Sequence, residues 1–309
     1  MTIEHTGYVW SATPTPFTDD MQIDRISVER LVEHHIKLGI DGLFLLGTCG
    51  EGAWMTDEQR REFVRSVVST AAGELKIAVQ VTDNSAARVL DNIERVAEDG
   101  ADIAVIAPPY FFMNDTPERI VDFYAGAIEN SPLPVGFYDR GRHSSVYVPQ
   151  EVLPRILALD NLTMVKDSSR DPERRDIALQ ARQERPGLLL LDGDEFVCAE
   201  YIEAGYDGLL LGGGIFNGYI ARQIIEAVHD GNMQQANALQ ERMNRLMWDV
   251  YGGKDAPCWL SGQKRLLVQM GIFSTWKSYL NYPLTDECVE AIKKAVQEDA
   301  DILTPWKDV

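Results

Sequence analysis

One lysine stands apart in this chain. Lys166 closes the apolar run LTMVK at 162–166, whereas Lys37, Lys293 and Lys294 fall on helix-like stretches and Lys76 opens a strand-like run. An amine at the end of an apolar strand is partly withdrawn from water, which disfavours its charged form and leaves it free to attack a carbonyl. The chemistry open to it is a Schiff base with a small 2-oxo acid. The same position also suits a lysine that snorkels to solvent or pairs with Asp167. Tyr138 closes the preceding run, PVGFY, and neighbouring strands would bring its phenol near the amine, where it can relay protons. Its alternative role is a rim tyrosine capping the core.

Three further groups belong with these two. Gly47-Thr48-Cys49-Gly50-Glu51 offers two glycines for a tight turn, backbone N–H groups and the Thr48 hydroxyl, which together suit a carboxylate, although it also fits an ordinary glycine-rich turn. Asp194 and Glu195 could accept hydrogen bonds from sugar hydroxyls or cap the next helix; the sequence leans toward substrate for Asp194 and toward a cap for Glu195. Gly212-Gly213-Gly214 could leave room for substrate or cradle a phosphate. Tyr110, Arg140 and His143 also fall at run ends. The five histidines (His5, His34, His35, His143, His229) form no cluster with carboxylates at these ends, so no metal and no other cofactor is expected.

These residues sit at the ends of eight apolar runs: 8–14, 42–47, 77–81, 102–107, 134–138, 162–166, 188–192 and 208–212. Helix-like stretches follow at 27–38, 56–72, 86–98, 117–129, 150–159, 172–183, 196–204 and 220–229, the second opened by the capping-box pattern Thr-Asp-Glu-Gln. Near-continuous apolar runs are strands covered on both faces. Eight such units predict a (β/α)₈ TIM barrel, with an open doubly wound sheet as the competing arrangement, and active sites of such barrels lie at the strands' C-terminal ends. Helical segments at 233–251, 263–270 and 286–301 predict a C-terminal helical extension, residues 233–309, packed on a barrel of residues 1–232 as one unit.

A formal charge of −19 over 309 residues argues against nucleic acid or an anionic membrane as partner. The opening MTIEHTGYVW lacks a basic segment followed by an apolar run, and no stretch approaches a membrane span. Cys49, Cys198, Cys258 and Cys288 lie far apart, as free thiols in a reducing cytoplasm would.

Over nearly its whole length the chain resembles the dihydrodipicolinate synthase / N-acetylneuraminate lyase superfamily of class I lyases. Gly47-Thr48-Cys49-Gly50-Glu51 is similar to that family's carboxylate-binding motif, Tyr138 in GFYDR to its strand-5 tyrosine, and Lys166 in VKDSS to its Schiff-base lysine. The resemblance implies a cofactor-free homotetramer, a dimer of dimers, acting on a small 2-oxo acid. Cys49 replaces the motif's second hydroxyl residue. Phe111 stands where the family places a relay tyrosine, with Tyr110 one residue earlier. His143 stands where dipicolinate synthases carry arginine, although Arg140 and Arg142 are close. Asp194-Glu195 resembles the acidic pair with which sialic-acid lyases hold sugar hydroxyls. These departures favour aldol cleavage of a 2-keto-3-deoxy sugar acid, with dehydration of such an acid as the alternative. Dihydrodipicolinate synthesis, a non-catalytic sugar-acid-binding barrel and a phosphosugar enzyme using the Gly212–Gly214 loop are weaker readings.

Overall fold

The computed structural model describes residues 7–307, so His5 and most of the opening segment lie outside the described residues. Eight parallel strands close into a barrel in chain order: β1 (Tyr8–Ala12), β2 (Gly42–Leu45), β3 (Lys76–Gln80), β4 (Ile103–Ile106), β5 (Val135–Asp139), β6 (Leu162–Asp167), β7 (Leu189–Asp192) and β8 (Gly208–Leu211), with β8 pairing back to β1. The expected barrel is therefore the fold, and the open sheet is not.

The apolar runs are continuous because the strands meet protein on both faces. Trp10, Phe44, Ala78, Val105, Tyr138, Met164, Leu191 and Leu210 fill the barrel interior. Alternate residues such as Val9, Leu43, Val79, Phe137, Val165 and Leu209 pack outward against the helices.

Those helices are α1 (Arg25–Leu38), α2 (Asp57–Ala71), α3 (Ala86–Glu98), α4 (Pro117–Ile128), α5 (Leu153–Leu157), α6 (Pro172–Glu184), α7 (Cys198–Ala204) and α8 (Gly214–His229). Local chemistry sets their starts. Asp24, Thr56, Ser85, Thr116 and Asp171 each accept a backbone N–H as N-cap. The capping box at α2 is formed in both directions: Gln59 N–H donates to Thr56 Oγ1 at 3.2 Å, and Thr56 N–H donates to Gln59 Oε1 at 3.1 Å.

Some boundaries differ from the sequence reading. Helix α8 begins at Gly214, six residues before the expected Ile220. Its glycines read as loop, yet a Cβ on Gly214 would come 2.8 Å from Ser11 Cα, and one on Gly218 would run into Ile40. They let the helix lie against β1 and the residues before β2. The expected helix at 150–159 shrinks to a 3₁₀ turn plus the five residues of α5.

After the barrel come α9 (Met233–Tyr251), α10 (Trp259–Gln269), α11 (Asp286–Glu298) and α12 (Ala300–Leu303). Helix α10 starts four residues before the expected Gln263, and the last segment breaks at Asp299, whose carboxylate is bound by Arg242. No described helix is long and apolar enough to cross a membrane.

Candidate active site

The register of β5 and β6 pairs Tyr138 with Lys166 directly across the sheet. Both residues face the barrel interior and are buried, and Lys166 keeps only 4% of its surface exposed. Lys166 Nζ lies 4.4 Å from the centre of the Tyr138 ring and 4.9 Å from that of Phe44. Phe44 and Tyr138 meet edge to face at 5.8 Å, so the amine rests on an aromatic floor. A Cβ on Gly193, at the end of β7, would sit 2.9 Å from Lys166 Cε, and the missing side chain is what leaves the lysine its path upward.

Above the amine opens a cavity of about 360 Å³ lined by Thr48, Cys49, Tyr138, Arg140, His143, Lys166, Glu195 and Gly212, among others. That size is in the range of small-molecule sites. A second space of about 150 Å³ shares Thr48, Tyr138 and Arg140 with it and adds Gly47, Gln80, Tyr110, Ser144 and Ser145. The Tyr110 hydroxyl is held by Gln80 Nε2 at 3.1 Å.

The turn after β2 is built to present donors. Its backbone N–H groups at Thr48, Cys49 and Gly50 donate to no other described residue. Thr48 and Cys49 border the cavity, so their N–H groups are placed to serve as donors there. Burial pushes the Cys49 thiol up to about 12, so it stays protonated and does not compete as a nucleophile.

Glu51, in the left-handed region at φ 56°, turns away from the cavity and anchors this turn. Its carboxylate takes an ion pair from Lys264 of α10, the Ser278 hydroxyl at 2.8 Å and the Tyr279 N–H at 2.6 Å. Both partners of the Lys264–Glu51 pair are fully buried. Gly50 also faces away, its carbonyl accepting from Thr15 Oγ1 at 2.7 Å.

The reading of Glu195 as a helix cap is corrected. Helix α7 starts after Val197 with no side-chain cap. Glu195 instead lines the cavity, accepting from Gly213 N–H at 2.5 Å and from the Tyr251 hydroxyl at 2.8 Å. Burial raises its carboxyl above the usual range while those two donors oppose the shift. This carboxylate also occupies the N–H that a phosphate at Gly212–Gly214 would need. Asp194, expected on the substrate, lies beside Arg170 Nη2 at 3.3 Å and does not line the cavity.

One device recurs behind the site. Strands β5, β6 and β7 each end in a buried aspartate that accepts the N–H two residues on: Asp139 from Gly141 at 2.9 Å, Asp167 from Ser169 at 2.8 Å and Asp192 from Asp194 at 2.8 Å. These Asx turns set the loops carrying Arg140, Arg170 and Glu195. Asp139 alone is matched by a cation, the buried Arg174, whose Nε and Nη2 bind its two oxygens at 2.8 and 2.9 Å.

Asp192 has no cation, and one of its oxygens has no partner among the described residues. Burial lifts its carboxyl well above the ordinary value of 3.8. The folded chain thus holds a proton there that the unfolded chain releases. The stability this contributes is complete below the unfolded pKa and is lost as pH rises toward the folded one. Asp192→Asn keeps the acceptor for Asp194 N–H and removes the titration. Its urea midpoint is expected to gain on that of the parent chain as pH is raised from about 5 to about 8; a constant or shrinking difference would contradict the assignment.

Sequence reasoning missed much of the cavity wall. Ser168, Arg170 and Phe196 follow the runs it singled out by only a few residues, so a wider window at each run end would have found them. Tyr251, Trp259 and Tyr282 come from the C-terminal extension, and nothing in their local sequence points to the barrel mouth. His34 and His35 on α1 are buried, and burial brings them down to about 4 and about 3, as neutral core side chains.

The model of the Dihydrodipicolinate synthetase family matches residues 5–298. N-acetylneuraminate lyase of Escherichia coli (strain SE11) is 26% identical over 277 residues, covering 89% of this chain and 86% of that protein. Among solved structures, dihydrodipicolinate synthase from Bacteroides thetaiotaomicron is 27% identical, with a TM-score of 0.85 over 96% of this chain and 99% of that one. CdNal from Clostridium difficile, solved with mannosamine, shares the fold at 19% identity and a TM-score of 0.84, over 94% and 98% of the two chains.

Proposed function

Because the chain belongs to the dihydrodipicolinate synthetase family and is an enzyme of the lyase class, we propose that it is a class I aldolase that cleaves a 2-keto-3-deoxy sugar acid to pyruvate and an aldehyde. The observation that carries this reading is the pairing of Lys166 with Tyr138 on the cavity floor, beside the turn that brings Thr48 and Cys49 to the same cavity.

Lys166 Nζ attacks the ketone carbon and the carbinolamine loses water to give an iminium. As the C3–C4 bond breaks, its electron pair moves into the iminium to form an enamine, and the C4 hydroxyl loses its proton as it becomes the aldehyde. Tyr138 carries protons in these steps and returns one to C3; hydrolysis then frees pyruvate and the amine. The N–H groups of Thr48 and Cys49, with the Thr48 hydroxyl, hold the substrate carboxylate and fix the carbonyl over the amine. Glu195 receives a sugar hydroxyl. Dehydration is the second outcome of the same iminium: loss of the C3 proton and then of the C4 hydroxyl leaves the carbon chain whole. The smaller space beside Tyr110 and Tyr138 supports it, since it offers room for a leaving hydroxyl.

The homotetramer implied by the resemblance is part of this proposal. Phe111 and Met113, 64% and 74% exposed beside Tyr110, support a contact between chains there.

Borohydride added to the protein with pyruvate is expected to fix a reduced adduct on Lys166, located by mass spectrometry of peptides. Incubation with a panel of 2-keto-3-deoxy sugar acids then separates the outcomes, cleavage releasing pyruvate and dehydration preserving the carbon count. No adduct with any 2-oxo acid would overturn the Schiff-base reading.

A further inference from the structure

Two of the buried free thiols have no part in the chemistry at Lys166. Cys258 stands immediately before α10, and Cys288 lies in the first turn of α11. Far apart in sequence, they meet where the end of α9 joins the start of α10. Cys258 N–H donates to the Tyr251 carbonyl at 2.9 Å, and Gly262 N–H donates to the Cys258 carbonyl at 2.6 Å. The Cys288 thiol donates to the Val250 carbonyl at 3.4 Å.

Two glycines make this approach possible. A Cβ on Gly262 would run into the Val250 carbonyl oxygen and sit 3.4 Å from Cys288 Sγ, and one on Gly252 would come 2.8 Å from Cys258 Sγ. Gly262 follows Cys258 by one helical turn, so the Cys288 sulfur rests on the face of α10 that Cys258 begins. The thiols are close enough to act on each other. Burial first, and then the Cys258 thiol, push Cys288 up to about 12.

We infer that Cys258 and Cys288 form a reversible oxidative modification site, at which a small peroxide joins them in a disulfide that closes residues 258–288 into a ring. That ring would hold Trp259 and Tyr282 of the cavity wall together with Lys264, Ser278 and Tyr279, which grip Glu51. The inference goes beyond the Schiff-base reading and does not depend on it. One thiolate attacks the peroxide; the O–O bond breaks, hydroxide leaves and a sulfenic acid forms. The other thiolate attacks that sulfur, the S–S bond forms and a second hydroxide leaves. With the thiol protons the hydroxides become water, and the electrons lost by the sulfurs have reduced the peroxide oxygens.

Neither sulfur is exposed, so access comes through the connection between α9 and α10. Gly252, Gly253 and Ala256 hold positive φ there, at 79°, 118° and 48°, and Lys254, Asp255 and Pro257 are exposed. Such a connection opens more readily than the helices it joins. A buried, protonated thiol reacts slowly. The site therefore answers sustained oxidant rather than a brief pulse.

The test holds the reduced, folded protein in hydrogen peroxide, then digests it without reductant for peptide mapping by mass spectrometry. The expected product is a crosslinked pair joining Cys258 to Cys288, which a thiol reductant releases. The crosslinked protein is expected to melt about 5 °C higher and to lose that gain on reduction, because the ring restricts the unfolded chain. C258A and C288A, each shown by circular dichroism to fold, should lack both the crosslink and the gain. Absence of this crosslink in the folded protein, or its formation only in urea, would overturn the inference. A crosslink that leaves the melting temperature unchanged would show that the ring holds nothing.

Discussion

Lys166→Ala is expected to lower turnover of any accepted 2-oxo acid by at least about a thousandfold, because the covalent route disappears with the amine. The fold should survive. Lys166 donates to no described residue and lies over the rings of Phe44 and Tyr138, so its removal breaks no hydrogen bond or ion pair. Lys166→Arg sharpens the test. Arginine keeps a positive charge at the position but is a poor nucleophile, its guanidinium remaining protonated. A covalent role predicts that both variants are equally inactive and that neither takes up an adduct on reduction. An electrostatic role predicts that arginine retains much of the activity. Kinetics and mass spectrometry on the two variants, with circular dichroism to confirm folding, decide between these outcomes.

The largest effect on stability is expected at Lys264. Its partner Glu51 is fully buried under the turn after β2, and removing the ammonium strands a carboxylate in the interior. Lys264→Met should destabilise the chain by about 3–5 kcal/mol, the usual consequence of breaking a buried pair from one side. It also orphans the Lys277 carbonyl, which Lys264 Nζ reaches at 2.8 Å. The double variant E51Q/K264M should recover much of the loss, since a neutral amide there needs no counterion and can still accept from Tyr279 N–H. Urea midpoints of the parent, both single variants and the double variant make the cycle. A loss at K264M below about 1 kcal/mol, the range of exposed pairs, would show that the pair does not hold the turn. Because Thr48 and Cys49 sit on that turn, K264M should also raise the KM for 2-oxo acids.

Much of the fold could be read from residue order because a parallel barrel writes its strands as plain apolar runs. Runs such as LTMVK and GLLLG need no partner to be recognised, and the rule that function gathers at strand ends then brought Lys166, Tyr138 and Thr48 forward. The same logic failed where three-dimensional proximity has no local signature. Glu195 looks like a helix cap when only its neighbours in sequence are considered; its true partners are Gly213, on the next strand's loop, and Tyr251, 56 residues away. The glycines that open α8 read as loop because propensity penalises them, and the close approach to Ser11 and Ile40 that requires them is a tertiary fact. Asp139, Asp167 and Asp192 were visible at run ends, but their shared turn appears only once the backbone is in place.

The C-terminal helices have a meaning for how such an enzyme diversifies. The amine and phenol belong to adjacent strands and descend together with the barrel, whereas Tyr251, Trp259 and Tyr282, which line the same cavity, belong to the last quarter of the chain. Changes in that late segment can reshape what enters without disturbing the reactive pair. Yet the same segment carries Lys264, Ser278 and Tyr279, which grip Glu51. Selection for new substrates can therefore vary the wall residue by residue, but it cannot discard or replace the segment wholesale without also unseating the turn after β2 that Glu51 anchors.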